Sequence, residues 1–224
     1  MYPMLITMLT LNDKTVENAQ EIFEQCDDLP CNYWGFKDIG LPRDKIKQLV
    51  EAMKNKGKTT LLEVVSLTEK ECMEGAELAV ECHFDYLMGT VFYDSVFNFL
   101  KDKDIRYMPF CGKVTGHPSV LEGTVQEAID EAKKLEKLGV DGFDLLVYRY
   151  TGDPEQYARE FINNIKLPVV IAGSIYNLER INKVKELNAW AFTIGSAFFQ
   201  KKFVKGGSFR EQLKAVLSFI TRWQ

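Results

Sequence analysis

Apolar runs of strand length alternate with segments of helical period from one end of the chain to the other. LITMLTL (5–11) precedes KTVENAQEIFEQC, CNYWGF (31–36) precedes RDKIKQLVEAMKNKG, TTLLEVVS (59–66) precedes TEKECMEGAELAVECH, and FDYLMGT (84–90) precedes VFYDSVFNFLKDK. The second half repeats the scheme: IRYMPF (105–110) with TVQEAIDEAKKLEKLG, GFDLLVY (142–148) with DPEQYAREFINNI, LPVVIAG (167–173) with NLERINKVKEL, and AWAFTIGS (189–196) with SFREQLKAVLSFITRW. Thr68–Glu71, Thr124–Glu127 and Ser208–Glu211 have the spacing of capping boxes, and Asp153-Pro154 sets an N-cap before a first-turn proline. Gly57 and Gly139 fall just after their helices, where a left-handed C-cap suits glycine. Eight βα units in 224 residues predict one closed α/β domain over 1–224, a (β/α)8 TIM barrel. A doubly wound open sheet is the runner-up.

Composition narrows the setting. Hydrophobic residues make up 46% and charged residues 27%, ordinary usage for a globular chain. A net charge of -4 argues against a general nucleic-acid binder. No apolar run is long enough to span a bilayer, and MYPMLITMLTLND reads as a strand, without the basic start of a signal peptide. Five cysteines in no CxxC pattern, with His83 and His117 the only histidines, argue against a metal site and suit a cytosolic protein with reduced thiols.

In a barrel the chemistry gathers at the C-terminal ends of the strands, and alternation decides which residues face inward there. With Trp34 and Phe36 facing the helices, Lys37 turns inward at the end of strand two; with Leu62 and Val64 outward, Glu63 turns inward on strand three. Such a pair suits proton transfer next to a carbonyl, or an imine on the lysine. It equally suits a structural ion pair, since any charge inside a barrel needs a partner. Strand six supplies Asp144, expected to join this polar layer, and Tyr148 and Arg149 at its exit as substrate contacts. Arg149 could grip a carboxylate or phosphate, or pair with Asp153.

The connection FCGKVTGHPSVLEG (110–123) is the longest in the chain and reads as a lid or binding loop, with Lys113 and His117 as further substrate contacts. Cys111 reads as a buried small hydrophobe, and Phe92, Tyr93, Phe97 and Phe99 as core, substrate wall or subunit interface. Strands seven and eight each run through Gly-Ser into a helical stretch, at Gly173-Ser174 and Gly195-Ser196. Glycine lets a ligand approach the backbone, and free amides after strands seven and eight of a barrel make a usual phosphate seat.

Here IAGSIYNLERINKVKELNAWAFTIGSAFF is similar to the last quarter of the phosphate-binding (β/α)8 barrels, the ribulose-phosphate-binding group. The resemblance implies that Gly173, Ser174, Gly195 and Ser196 hold a substrate phosphate through backbone amides. The paired aspartates of the histidine-pathway isomerase are missing, with Thr7, Thr10 and Gly112-Lys113 where they would stand, and so is the Asp-x-Lys-x-x-Asp pattern of the orotidine-phosphate decarboxylases.

The reading that follows is an isomerase, epimerase or aldolase-type lyase acting on a small phosphorylated sugar or keto compound. Lys37, Glu63 and Asp144 are its chemical residues, and it needs no metal. It needs no dissociable cofactor either, although FMN is compatible with such a phosphate seat. The alternative is a non-catalytic barrel that senses a phosphometabolite. A nicotinamide enzyme finds no GxGxxG turn in support, and association into a homo-oligomer stays open.

Overall fold

The computed structural model describes residues 2–116 and 118–223. Eight parallel strands form one sheet: β1 Met4–Met8, β2 Tyr33–Lys37, β3 Thr59–Val64, β4 Tyr86–Gly89, β5 Arg106–Pro109, β6 Phe143–Leu145, β7 Val169–Ile171 and β8 Ala191–Ile194. Their spatial order is β6-β7-β8-β1-β2-β3-β4-β5. An isolated parallel bridge between Phe110 and Asp144 brings the two ends together, so the barrel is nearly closed, as the alternation predicts.

Helices α1 (Ala19–Glu24), α2 (Arg43–Asn55), α3 (Glu69–Glu81), α4 (Asp94–Leu100), α5 (Val125–Leu138), α6 (Pro154–Asn164), α7 (Leu178–Glu186), the short α8 (Ser196–Phe199) and α9 (Phe209–Thr221) alternate with the strands. Both halves of the capping box form at Thr124 and Ser208, whereas Thr68 accepts from the Glu71 amide without the reciprocal bond. Asp153 caps α6 through the Gln156 amide, with Pro154 in the first turn. Among the described residues, no helix is long and apolar enough to cross a membrane.

Strand alternation sorts the side chains into two cores. Trp34, Phe36, Leu62 and Val64 pack outward against the helices, in one continuous cluster with Phe23, Phe84 and Phe161. Inside the barrel lie Ile6, Met8, Leu61, Tyr86, Met88, Met108, Val170 and Ala191. The inner methionines fill space that glycines vacate: a Cβ built on Gly35 would sit 2.5 Å from the Met8 sulfur. Flexible thioethers suit such an irregular interior. Above this apolar plug, at the C-terminal ends of the strands, the interior turns polar.

Two segments depart from the sequence reading. The first strand ends at Met8, and Thr10–Leu11 pairs antiparallel with Lys14–Thr15 in a small hairpin, so that the helix expected from Lys14 begins only at Ala19. Asn12 and Asp13 at its tip both have positive φ, +50° and +59°, the backbone that a two-residue hairpin turn demands and that Asn and Asp tolerate best. The long 110–123 connection is also a hairpin, Lys113–Thr115 against Val120–Glu122. Its two arms are therefore tied to each other by their own ladder.

Candidate functional site

Lys37 and Glu63 are direct register partners on β2 and β3. Their side chains meet at 3.3 Å, and both are nearly buried, at 5% and 8% exposure. Lys37 also reaches Asp13, with Nζ 2.9 Å from Oδ1. Burial disfavours its charged form, but the carboxylates of Glu63 and Asp13 outweigh that and hold the amine above its ordinary value. Lys37 is therefore an ammonium ion at neutral pH.

Asp13 is the residue the sequence reading missed. Its carboxylate accepts from both arms of Arg149, at 2.9 Å from Nη2 and 3.3 Å from Nη1, while it also accepts from Lys37. Burial alone would raise its carboxyl, yet hydrogen bonds and charge from Arg149 and Lys37 prevail and bring it down to about 2. Arg149 thus pairs with Asp13 and not with Asp153. It reaches the mouth because β6 stops at Leu145 and the chain turns through a 3-10 segment, Val147–Arg149.

Asp144 corrects another expectation. It is fully buried on β6, but neither carboxyl oxygen finds a hydrogen-bond partner among the described residues, so it stands beside the Lys37–Glu63 pair without joining it. Burial, reinforced by the nearby Glu63 charge, holds it well above the usual carboxylate range. Lys37 and Arg149 share this layer with the carboxyl groups of Asp13, Glu63 and Asp144, and Asp38, whose carboxyl burial raises to about 6, lies close enough to feel both Lys37 and Glu63.

Burial favours the neutral form of Asp144 in the folded chain, an effect that is absent when the chain unfolds. Its favourable contribution is complete below the unfolded value near 4 and is lost as pH rises from there toward the folded value. Asp144→Asn removes that dependence. Its Tm should gain on the unaltered protein as pH rises from 5 to 8.5, because each pH unit over which the folded carboxyl stays protonated and the unfolded one is ionised costs the unaltered protein about 1.4 kcal/mol. A Tm difference that stays constant with pH would overturn this account.

One cavity of about 240 Å³ gathers Asp13, Lys37, Glu63 and Arg149 together with Gly173, Ser174, Gly195 and Ser196. Thr10, Thr193 and Gln200 complete its polar wall. Gly173 and Ser174 have φ of +83° and +44°, and the amides of Gly173, Ser174 and Ile175 have no backbone acceptor among the described residues. The Ser174 carbonyl is tied back by Arg180, whose guanidinium lies over the rings of Tyr148 and Tyr176, 4.7 and 4.2 Å from their centroids. The glycines also make room inside the protein. A Cβ on Gly173 would press on Arg149 Cγ at 2.9 Å, and one on Gly195 on Thr10 Oγ1 at 2.5 Å.

The remaining sequence-predicted residues lie elsewhere. Lys113 is exposed and paired across its hairpin with Glu122 at 3.0 Å, so it does not line the cavity. Tyr148 is buried in the helix-facing core. His117 lies outside the described residues. Cys111 is fully buried against the Ala128 carbonyl, and burial pushes its thiol up, away from nucleophilic use. Phe92, Tyr93, Phe97 and Phe99 are half-buried against the outer core.

A larger cleft, about 480 Å³, opens at the opposite end of the barrel around Lys54, Asp85 and Arg106. Its Lys54 is paired with Asp85 at 2.9 Å, and its Arg106 with the Tyr86 hydroxyl at 2.6 Å. Among the described residues, no three His, Cys, Asp or Glu side chains converge as a metal-ligand group.

No family model and no curated protein sequence matches the chain. Solved structures do. Orotidine 5'-phosphate decarboxylase from Pyrococcus horikoshii superposes with a TM-score of 0.71 at 13% identity, over 97% of this chain and 99% of that one. Thiamine phosphate pyrophosphorylase from Pyrococcus furiosus gives 0.65 at 12%, over 98% and 96%. The N-acetylmannosamine-6-phosphate 2-epimerase from Clostridium perfringens gives 0.64 at 14%, over 96% and 92%. At such identities the likeness establishes the fold. The resemblance to the phosphate-binding barrels therefore holds at the level of architecture.

Proposed function

We propose that this protein is an enzyme of the isomerase or epimerase kind acting on a small phosphorylated hydroxycarbonyl compound. The observation that carries the reading is the single cavity at the strand C-termini that joins the Lys37–Glu63 pair to both Gly-Ser turns. The free amides after β7 would take the phosphate, as the positively polarised N–H groups of such turns do. The names of the superposed enzymes, which act on phosphate-bearing compounds, support the same end of the ligand.

At the other end Glu63 would remove a proton from the carbon beside the carbonyl, and the Lys37 ammonium would stabilise the oxyanion that forms. The Glu63 carboxyl, free to exchange its proton with water, would then protonate the neighbouring carbon while the hydroxyl proton passes from one oxygen to the other, which completes the isomerisation without an external reductant; epimerisation would need a second proton donor on the opposite face. The aldolase-type route needs a free amine for imine formation, and the two carboxylates on Lys37 oppose it. A cavity of about 240 Å³, below the roughly 300–1,000 Å³ of typical ligand sites, favours a small phosphosugar over the bulkier FMN.

One observation favours the alternative of a phosphometabolite sensor. Asp13, Lys37, Glu63 and Arg149 satisfy each other fully enough to serve as a structural ion network. The two readings part in a single assay. An isomerase incubated in deuterated water with its phosphosugar exchanges the hydrogen next to the carbonyl, which proton NMR follows directly. Ligand-induced Tm increases with no exchange across a panel of aldose and ketose phosphates would leave the sensor, and no Tm response to any phosphate compound would sink both.

A further inference from the structure

Both cations that line the cavity are already occupied by carboxylates of the chain itself. Asp13 sits between them, Oδ1 2.9 Å from Lys37 Nζ and 2.9 Å from Arg149 Nη2, and Glu63 holds Lys37 from the other side at 3.3 Å. Side-chain exposure at Asp13 is only 11%.

The Asp13 hairpin is fastened at both ends and does not hang over the mouth as a gate. On one side the Thr15 hydroxyl donates to the Lys37 carbonyl at 2.7 Å and accepts from the Lys37 amide at 2.9 Å, while the Thr15 amide donates to the Ile39 carbonyl at 2.9 Å. On the other side the Asn12 amide donates to Ser196 Oγ at 3.3 Å. The Asp13 carboxylate is thus a permanent wall of the site.

We infer that Asp13 is a specificity-determining residue that restricts the site to monophosphates whose far end is uncharged, aldose or ketose phosphates, and excludes phosphorylated acids and bisphosphates. This rests on the phosphate reading above and deepens it. A second anion entering beyond the phosphate would find the bidentate face of Arg149 filled by Asp13, and would lie against the Asp13 and Glu63 carboxylates, which are only 11% and 8% exposed. Like charges in that position are strongly unfavourable. The other polar side chains that line the cavity, those of Thr10, Tyr176, Thr193 and Gln200, are uncharged. Lys37 has three N–H bonds and only two carboxylate partners, so one remains for a carbonyl or hydroxyl oxygen.

Discrimination of this kind, by a built-in repulsive group, reverses when the group is neutralised. Calorimetric titration of the unaltered protein and of Asp13→Asn should use matched pairs: dihydroxyacetone phosphate against 3-phosphoglycerate, and glucitol 6-phosphate against 6-phosphogluconate, with inorganic phosphate alone as a separate arm. The unaltered protein should bind the uncharged-headed member of at least one pair about tenfold more tightly, a difference of about 1.4 kcal/mol. In Asp13→Asn that preference should vanish or invert through a gain for the acid, while inorganic phosphate affinity stays the same.

Equal or tighter binding of the acids by the unaltered protein would overturn the inference and leave the phosphate seat standing, as the inorganic phosphate arm would report. An unchanged preference in a folded Asp13→Asn would overturn the role of Asp13. No binding of any phosphate compound ends both readings. Should Asp13→Asn fail to fold, the ratio in the unaltered protein decides alone.

Discussion

Lys37→Met should lower turnover of the phosphosugar substrate by about 10²–10⁴-fold, the range that a positioned acid, base or cation contributes. The argument is one of charge. Methionine fills the volume of the lysine stem but leaves Asp13 and Glu63 facing each other without the ammonium that sits 2.9 and 3.3 Å from them. An oxyanion formed at the reacting carbonyl would then meet two carboxylates, with Arg149 the remaining cation and already paired to Asp13. Breaking a buried pair in this way also costs stability, about 3–5 kcal/mol, or a Tm lower by roughly 10 °C. Affinity for inorganic phosphate should fall less than turnover, since the amides of Gly173 and Ser174, and not Lys37, would hold it. Deuterium exchange and phosphate titration on the same sample separate the two effects. Turnover close to that of the unaltered protein would remove Lys37 from the mechanism.

Gly40→Ala should be nearly as damaging, although Gly40 touches no part of the cavity. Gly40 has φ +110°, and a Cβ there would collide with the Thr15 carbonyl oxygen and lie 2.8 Å from the Thr15 nitrogen. Both atoms are backbone and cannot rotate away. The penalty combines a left-handed strain of order 1–3 kcal/mol with displacement of the hairpin, and a Tm drop of about 10 °C is expected. Because that hairpin carries Asp13, the damage reaches the site: the preference between uncharged and acidic phosphates should change along with stability. Gly57→Ala is the control. Its φ is also positive, +67°, but nothing lies within 4 Å of its Cβ, so it should cost only about 1 kcal/mol and leave ligand preference untouched. Equal effects at the two glycines would refute the steric account.

Much of the barrel was legible because its signals are local. Period-two alternation placed Lys37 and Glu63 inside, where the register makes them partners. The caps at Thr124, Asp153 and Ser208 could be read from spacing alone. The repeated Gly-Ser turns were placed beside each other by strand count, and one cavity indeed holds both.

What escaped reading was set by tertiary context. LITMLTL continues its alternation smoothly past Met8, and only the Asn12-Asp13 pair, two residues tolerant of positive φ between TL and KT, hinted at a hairpin. Missing that turn meant missing Asp13. Tyr148 and Arg149 are neighbours in sequence, yet the 3-10 segment sends one into the outer core and the other to the mouth, a change of period that no strand pattern foretells. The isolation of Asp144 is a property of its whole surroundings and belongs to no motif.

The bridge between Phe110 and Asp144 has a dynamic consequence. Seven of the eight inter-strand seams are continuous ladders, whereas the one between β5 and β6 has that bridge and, at its other end, the Asp141 amide donating to the Tyr107 carbonyl at 2.9 Å and the Tyr107 amide to Asp141 Oδ2 at 2.8 Å. Sub-global opening follows the line of fewest backbone bonds, so the barrel breathes first where Asp144 is buried. Amide hydrogen exchange should accordingly be faster along this seam than along the seven continuous ladders.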